Sequence, residues 1–310
     1  MTARFGPLAR SRRRRFNVLP RRDQLTIGAI LAVPVLLDLL LIWGPAAVSA
    51  VLSFTNWRGV GPLMAENWVG LKNYETLLNG YPLFWSALWH NLVWLLFFVL
   101  VATPLGVLLA VLLDRRLRGA RVYQGIFYLP VVLSLAVVGF IWELQYAPGE
   151  GFIDASLGLT GQSNTVDWLG NPDINLFAVL IAATWRHAGY VMILYLAGLR
   201  SVDPDLREAA ALDGASERQA FFRVVLPVLR PINVIVVTIT AIEALRAFDI
   251  AYVINQGTNG LELLSTLVTN NSLGEANLVG FGSAIAVVLL VGSLVPIVAY
   301  LARALREERA

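Results

Sequence analysis

The sequence predicts an all-α, polytopic membrane protein with about six transmembrane helices and both termini in the cytoplasm. Three observations carry that prediction. The 310 residues are 57% hydrophobic and only 15% charged, where a soluble domain is roughly 25% charged. Six apolar stretches, at 25–52, 87–113, 122–144, 174–199, 232–254 and 278–301, reach the roughly 20 residues that a helix needs to cross a bilayer. The basic residues gather in alternate connections between those stretches, as cytoplasmic loops do.

The first stretch follows an Arg-rich tail, residues 1–24, which carries eight arginines. The pattern resembles a secretory signal, but the apolar run is too long and no small-residue cleavage site follows, so it reads as a retained helix. A basic tail directly before a span is a topology anchor rather than a nucleic-acid arm. The 114–121 connection holds Arg115, Arg116, Arg118 and Arg121, the 200–231 connection five arginines and the C-terminal end three. The opposite side holds only Arg58 and Lys72, and the 143–173 connection has five acids and no base. Trp57, Trp68, Trp85 and Trp89 gather near the outer ends of the first two stretches, where interfacial aromatics belong. The expected organisation is a tail at 1–24, a transmembrane domain at 25–303 and a short tail at 304–310. Without cysteine, and with only His90 and His187, a disulfide, a thiol nucleophile or a His-rich metal centre is excluded.

The connection from 203 to 231 is too well punctuated to be a loose linker. Asp203 is an N-cap followed by Pro204 at the first helical position. An Ala-rich helix to Leu212 follows, and Gly214 ends it. Ser216 with Gln219 forms a capping box that starts a second helix, whose Phe221, Phe222, Val225 and Leu226 lead to Pro227. Pro231 then opens the fifth span. Counted from Arg200, five acids balance five bases, so the segment does more than hold topology. It suits docking onto another protein, the alternative being an amphipathic helix lying on the lipid surface.

At Glu208-Ala209-Ala210, with Asp213-Gly214-Ala215 and Leu226-Pro227, the segment resembles the EAA motif of permease subunits of ATP-binding-cassette importers. The similarity extends over nearly the whole chain and looks like the oligosaccharide and glycerol-phosphate branch. It includes Ser53-Phe54-Thr55 with Trp57, Val69-Gly70-Leu71 with Asn73-Tyr74, Tyr128-Leu129-Pro130, and Phe248-Asp249 with Tyr252-Val253. That resemblance implies the type I importer permease fold in the bacterial plasma membrane. It implies that Glu208, Ala209, Ala210, Asp213 and Gly214 form a coupling helix seated in a cytoplasmic ATPase. The implied partners are a second related permease in a heterodimer, two copies of the ATPase, an extracytoplasmic binding protein, a carbohydrate and the lipid bilayer, with no nucleic acid. No Walker A sequence is present, so ATP and magnesium belong to the partner subunits and the chain itself is not an enzyme. The 255–260 loop, Asn-Gln-Gly-Thr-Asn-Gly, departs from the Gly-Gly-Gly-Pro run common in the family, and is expected to keep flexibility while losing the proline.

Ionisable groups inside spans point to function or to pairing. Trp185, Arg186 and Tyr190 in span four, and Glu243, Arg246 and Asp249 in span five, are the candidates for a sugar pathway. The last three are three residues apart, which on a continuous helix gives a shared face. The competing reading is an ion network that holds two spans together. His187 reads as a structural hydrogen-bonding residue. An ion-coupled secondary transporter would use the same charges itself, but such proteins carry paired broken helices, and no such pair is legible.

Overall fold

Proline, glycine and one serine decide where the apolar stretches stay straight and where they break. The structure, a computed structural model, describes residues 20–115, 118–160, 165–274 and 277–307. Most of the Arg-rich tail, Arg116 and residues 308–310 lie outside the described residues. Among the described residues there is no strand beyond one isolated bridge, Thr55 to Trp68.

Two units are distinguished, Met1–Val51 and Leu52–Ala310. The described residues of the first form one long helix. It carries Pro34 and a π turn over Leu39–Trp43 just ahead of Gly44-Pro45. A proline cannot donate to the ladder, and a π turn absorbs the mismatch.

The second unit holds the remaining spans. Span two is one helix from Pro82 to Asp114, 33 residues long, with a π turn at Phe98–Ala102 directly before Thr103-Pro104. At 1.5 Å per residue it is about 50 Å long, so it reaches well past a hydrocarbon core of about 30 Å. Span four, Asn175–Ser201, is the centre of the unit: 67% of its apolar window is buried, against 22% for span two and 11% for the last span. Its small residues permit that. Val191 and the Ala188 carbonyl press on Gly106, Gly189 lies against the Phe127 carbonyl, and Gly198 against Ile232 and Leu229. Small residues at crossings are how helices approach closely in lipid. The last helix, Val279–Glu307, runs through the expected boundary at 303 without a break.

Spans three and five differ from the straight crossings expected. Span three is Ala120–Val132 and Leu135–Gln145, bent by 104°. Leu133 and Ser134 are extended, and the Ser134 hydroxyl accepts from the Val137 N–H at 3.3 Å. Ser134 thereby caps a new helix in the middle of an apolar run. Span five is reached through Glu217–Val228, which meets Arg230–Asn255 at 79°. It breaks again at residues 246–248, between helices Arg230–Leu245 and Asp249–Asn255. The broken spans that were not legible in the sequence are therefore present.

The outer ends of the unit are knotted by polar groups. Asn73 donates its amide to the carbonyls of Ser53 (2.8 Å) and Thr55 (2.7 Å). The Ser53 hydroxyl and the Tyr74 hydroxyl are 2.7 Å apart. The Gly280 N–H donates to the Trp57 carbonyl at 3.0 Å, and a side chain at Gly280 would strike the Thr55 carbonyl. The Ser-Phe-Thr and Asn-Tyr motifs therefore tie the start of this unit to the start of the last span.

Candidate functional site

A small cavity lies where spans two, four and five meet. Trp94 and Phe98 come from span two, Arg186 and His187 from span four, Glu243 from the first half of span five, and Arg246, Phe248 and Asp249 from its break. Arg186 Nη1 is 3.6 Å from Glu243 Oε2, a loose ion pair across two spans. Phe98 stacks on His187 with centroids 4.5 Å apart. His187 Nε2 lies 3.1 Å from the Thr240 hydroxyl, which in turn is 3.2 Å from the Thr103 hydroxyl. His187 is thus held as a structural residue, as its sequence context suggested.

The shared helix face expected for Glu243, Arg246 and Asp249 does not exist, because the helix ends at Leu245. The cavity gathers all three by another route. Ending a helix inside the protein leaves carbonyls without partners. Asn91 donates to the Leu245 carbonyl (3.4 Å) and accepts from the Leu264 N–H (2.9 Å), and the Ser265 hydroxyl donates to the Ala247 carbonyl. With those carbonyls satisfied, residues 246–248 leave the helix and turn Arg246 and Asp249 into the cavity wall.

The cavity measures about 60 Å³, room for a few waters at roughly 10–15 Å³ of accessible volume each but not for a sugar ring. Among the described residues, Trp94 Nε1 and Arg186 Nε are buried donors with no protein partner. Trp94, Phe98 and Phe248 were not among the pathway candidates read from the sequence. The spacing of Trp94 and Phe98, four residues apart on a helix that places a tryptophan far from either interface, was the available signal. Trp185 does not line this cavity; it meets Trp142 edge-on at 6.0 Å. Tyr190 is also outside the lining and half-exposed.

The 203–231 segment is built as its caps require. Asp203 Oδ1 accepts from the Asp205 N–H at 3.0 Å and opens helix Pro204–Leu212. Gly214, at φ 80°, turns the chain. Ser216 and Gln219 cap each other and open Glu217–Ala220, which continues as a π turn over Phe221–Val225. Glu208, Ala209, Asp213 and Gly214 are exposed, and Leu212 projects furthest at 88%. Ala210 is different: at 7% exposure it is turned into its own chain. Its small size serves internal packing and not an outside surface.

The 255–260 loop is not the flexible segment expected. Gln256, Gly257, Asn259 and Gly260 all take positive φ, and side chains fasten them. Asn175 donates to the Asn259 carbonyl at 2.5 Å, Asn259 to the Gly170 carbonyl, and Asn270 to the Gln256 carbonyl at 3.2 Å. Any side chain at Gly257 would strike Thr266, and at Gly260 would strike Pro172. The glycines allow a close fit here.

Comparison with known proteins places this arrangement. A probable ABC transporter permease of Pyrococcus horikoshii is 32% identical over 293 residues, covering 93% of this chain and 97% of the relative. The xylose/arabinose import permease XacH of Haloferax volcanii is 33% identical, covering 87% and 84%. The trehalose/maltose permease MalF of Thermococcus litoralis is 32% identical, covering 86% and 89%. Among solved structures, a subunit of a bacterial ABC transporter for the import of alginate superposes with a TM-score of 0.78 at 23% identity, over 92% of this chain and 96% of that one, which establishes the fold. Residues 102–307 match the model of the binding-protein-dependent transport system inner membrane component, and with two thirds of its length so matched the chain belongs to that family of multi-pass membrane permease subunits.

Proposed function

We propose that the chain is the membrane-spanning subunit of an ATP-driven sugar importer. In this reading the termini are cytoplasmic, and the exposed face of Glu208, Ala209, Asp213 and Gly214 seats in an ATPase that holds ATP and magnesium. A second, related permease and two ATPase copies complete the complex, and an extracytoplasmic binding protein delivers the cargo. The observation that carries the cargo class is the cavity wall. It combines the aromatic side chains of Trp94, Phe98 and Phe248 with the carboxylates of Glu243 and Asp249 and the guanidinium groups of Arg186 and Arg246. Apolar faces for the ring and convergent polar groups for its hydroxyls are what a neutral polyol requires. Glu243, paired with Arg186, and Asp249 match the two bases of the wall, Arg186 and Arg246, in number, which leaves it poorly suited to a phosphate. The printed functions of two relatives, xylose/arabinose and trehalose/maltose transport, lie in the same class. At its present size the cavity is closed to a sugar, so movement of span five at its break would open it.

The test is uptake by cells expressing the chain with its co-encoded partners, against a panel of labelled mono-, di- and oligosaccharides. Uptake should survive an ionophore and stop when the partner ATPase is inactivated. Loss of uptake with the ionophore alone would favour the ion-coupled transporter. Glu243→Ala tests the wall. Removing one partner of an ion pair strands the other charge at a cost of about 3–5 kcal/mol at full burial, and less here because the Arg186 and Glu243 side chains are 25% and 41% exposed. Uptake is expected to drop by at least tenfold while the complex still assembles. Normal uptake would make Arg186 and Glu243 a dispensable network.

A further inference from the structure

We propose that Arg207 is a positioning residue through which movement of the 203–231 segment is delivered to spans two and four, in addition to the chain connection into span five. The proposal rests on the reading of that segment as the ATPase dock.

The argument begins with Asp114. It is the last residue of span two's helix, where the carbonyl end of the helix dipole disfavours a carboxylate. Nothing in span two itself rewards an acid there. Its partner is Arg207, whose Nη1 donates to Asp114 Oδ2 at 2.9 Å. The other terminal nitrogen of Arg207 reaches the Leu199 carbonyl at 3.5 Å, in the last turn of span four, where a cation is favoured. One guanidinium on the first short helix therefore touches the ends of two spans. The neighbouring Arg115 makes a second link, to Glu217 Oε2 at 2.7 Å, but both side chains are largely exposed (61% and 85%), and such pairs contribute little. The Asp114 side chain is only 17% exposed, so the Arg207 contact is the firmer of the two.

The direction of the neighbouring side chains supports the role. Arg207 faces the spans while Glu208, the next residue, is exposed. The same helix thus presents one charge outward and one to the ends of the spans. What Arg207 holds is rigid over a long reach. Span two runs as one helix from Asp114, through the π turn at Phe98–Ala102, to Phe98 and Trp94 in the cavity wall. Span four carries Arg186 and His187 into the same wall and is locked to span two where Gly106 meets Val191 and the Ala188 carbonyl. A displacement of the first short helix is therefore conveyed to both helices together, and they carry five of the cavity's side chains.

The experiment uses the complete complex, with binding protein present and cysteine-free partner subunits. This chain has no native cysteine, so Leu108→Cys, on the exposed side of span two, takes a single bimane label. Magnesium-ATP with vanadate is expected to shift its emission. Arg207→Ala and Asp114→Asn should each reduce that shift about fivefold, the low end of typical site-to-site coupling, while ATPase co-purification and basal hydrolysis stay at parental levels. Asp114→Arg combined with Arg207→Asp re-forms the charge pair but not the donation to the Leu199 carbonyl, so it should recover only part of the response while ATPase retention stays at the parental level. Because Asp114→Asn is nearly isosteric, it keeps the test informative if Arg207→Ala fails to fold. An undiminished shift in Asp114→Asn with the ATPase bound would overturn the proposal and leave the docking role of Glu208 intact. Loss of the ATPase from the Arg207→Ala complex would also overturn it, by making Arg207 part of the dock. Failure of the docking reading itself has a separate signature: Glu208→Lys would retain the ATPase.

Discussion

A leucine in place of Gly189 is expected to stop the chain from accumulating as a folded membrane protein. Gly189 lies on span four where the first half of span three crosses it. A Cβ there would sit 2.2 Å from the Phe127 carbonyl oxygen and 3.0 Å from Val131 Cγ2. The first obstacle is backbone, so no rotamer change relieves it. Even Gly189→Ala forces the helices apart, and overpacking of this kind costs about 1–3 kcal/mol. Leucine adds three more carbons to a crossing that has no room for one, against a total stability on the order of 5–15 kcal/mol. The separation would also pull at the Gly106–Val191 crossing on the same helix, because span four is the centre of the unit. Size-exclusion profiles of detergent extracts after graded heating measure the effect: Gly189→Ala should melt lower and Gly189→Leu should be aggregated or absent. Gly125→Ala is the control. It lies in the same half of span three with open space around it, and the swap should be neutral or stabilising by up to about 1 kcal/mol. A Gly189→Leu chain that elutes and melts like its parent would remove the close crossing.

What could be seen in the sequence was whatever is decided locally. The 203–231 segment was legible to its caps, because Asp203 with Pro204 and Ser216 with Gln219 act within three residues of themselves. The positions of the six apolar stretches were legible because bilayer thickness dictates their length. The breaks were not. Ser134 is a helix-start residue, but an apolar run on both sides hides it. The break at residues 246–248 depends on Asn91 and Ser265, which reach Leu245 and Ala247 from other parts of the chain. No window of sequence contains both the helix and what ends it. The cavity follows the same division. Arg186, Glu243, Arg246 and Asp249 announced themselves as charges where charge is costly. Trp94 and Phe98 did not, because an aromatic in a span faces lipid or protein according to a helix rotation that only packing sets. Trp185 and Tyr190, also pathway candidates, lie outside this cavity's lining for the same reason. The loop at 255–260 looked flexible because Gly and Asn permit many conformations; in place, the side chains of Asn175, Asn259 and Asn270 select one.

Glu208→Lys is expected to leave membrane insertion intact and to strip the ATPase from the purified complex. The residue is exposed on helix Pro204–Leu212, so no internal packing is lost. It lies past the first turn, where the helix dipole has little hold on it, so the helix itself should persist. Its neighbour Arg207 is occupied by Asp114, which leaves the carboxylates of Glu208 and Asp205 as the charges this part of the helix exposes to a partner. Around it Ala209 and Gly214 offer little bulk, and Leu212 supplies an apolar projection, so a partner can close over the carboxylate and exclude water. Truncating one member of a buried interfacial charge pair costs about 2–5 kcal/mol, and at 1.4 kcal/mol per tenfold that weakens binding by roughly 30-fold to several thousand-fold. Reversal adds repulsion to the loss. Glu208→Gln, which removes the charge but keeps the shape, should fall between parent and Glu208→Lys. The measurement is the amount of ATPase retained on the affinity-purified chain over a range of salt, with uptake measured alongside. Retention should decline in the order parent, Gln, Lys, and uptake should decline with it. Equal retention in all three would mean that the ATPase is held elsewhere on the chain, and the exposed face of this helix would lose its assignment as the dock.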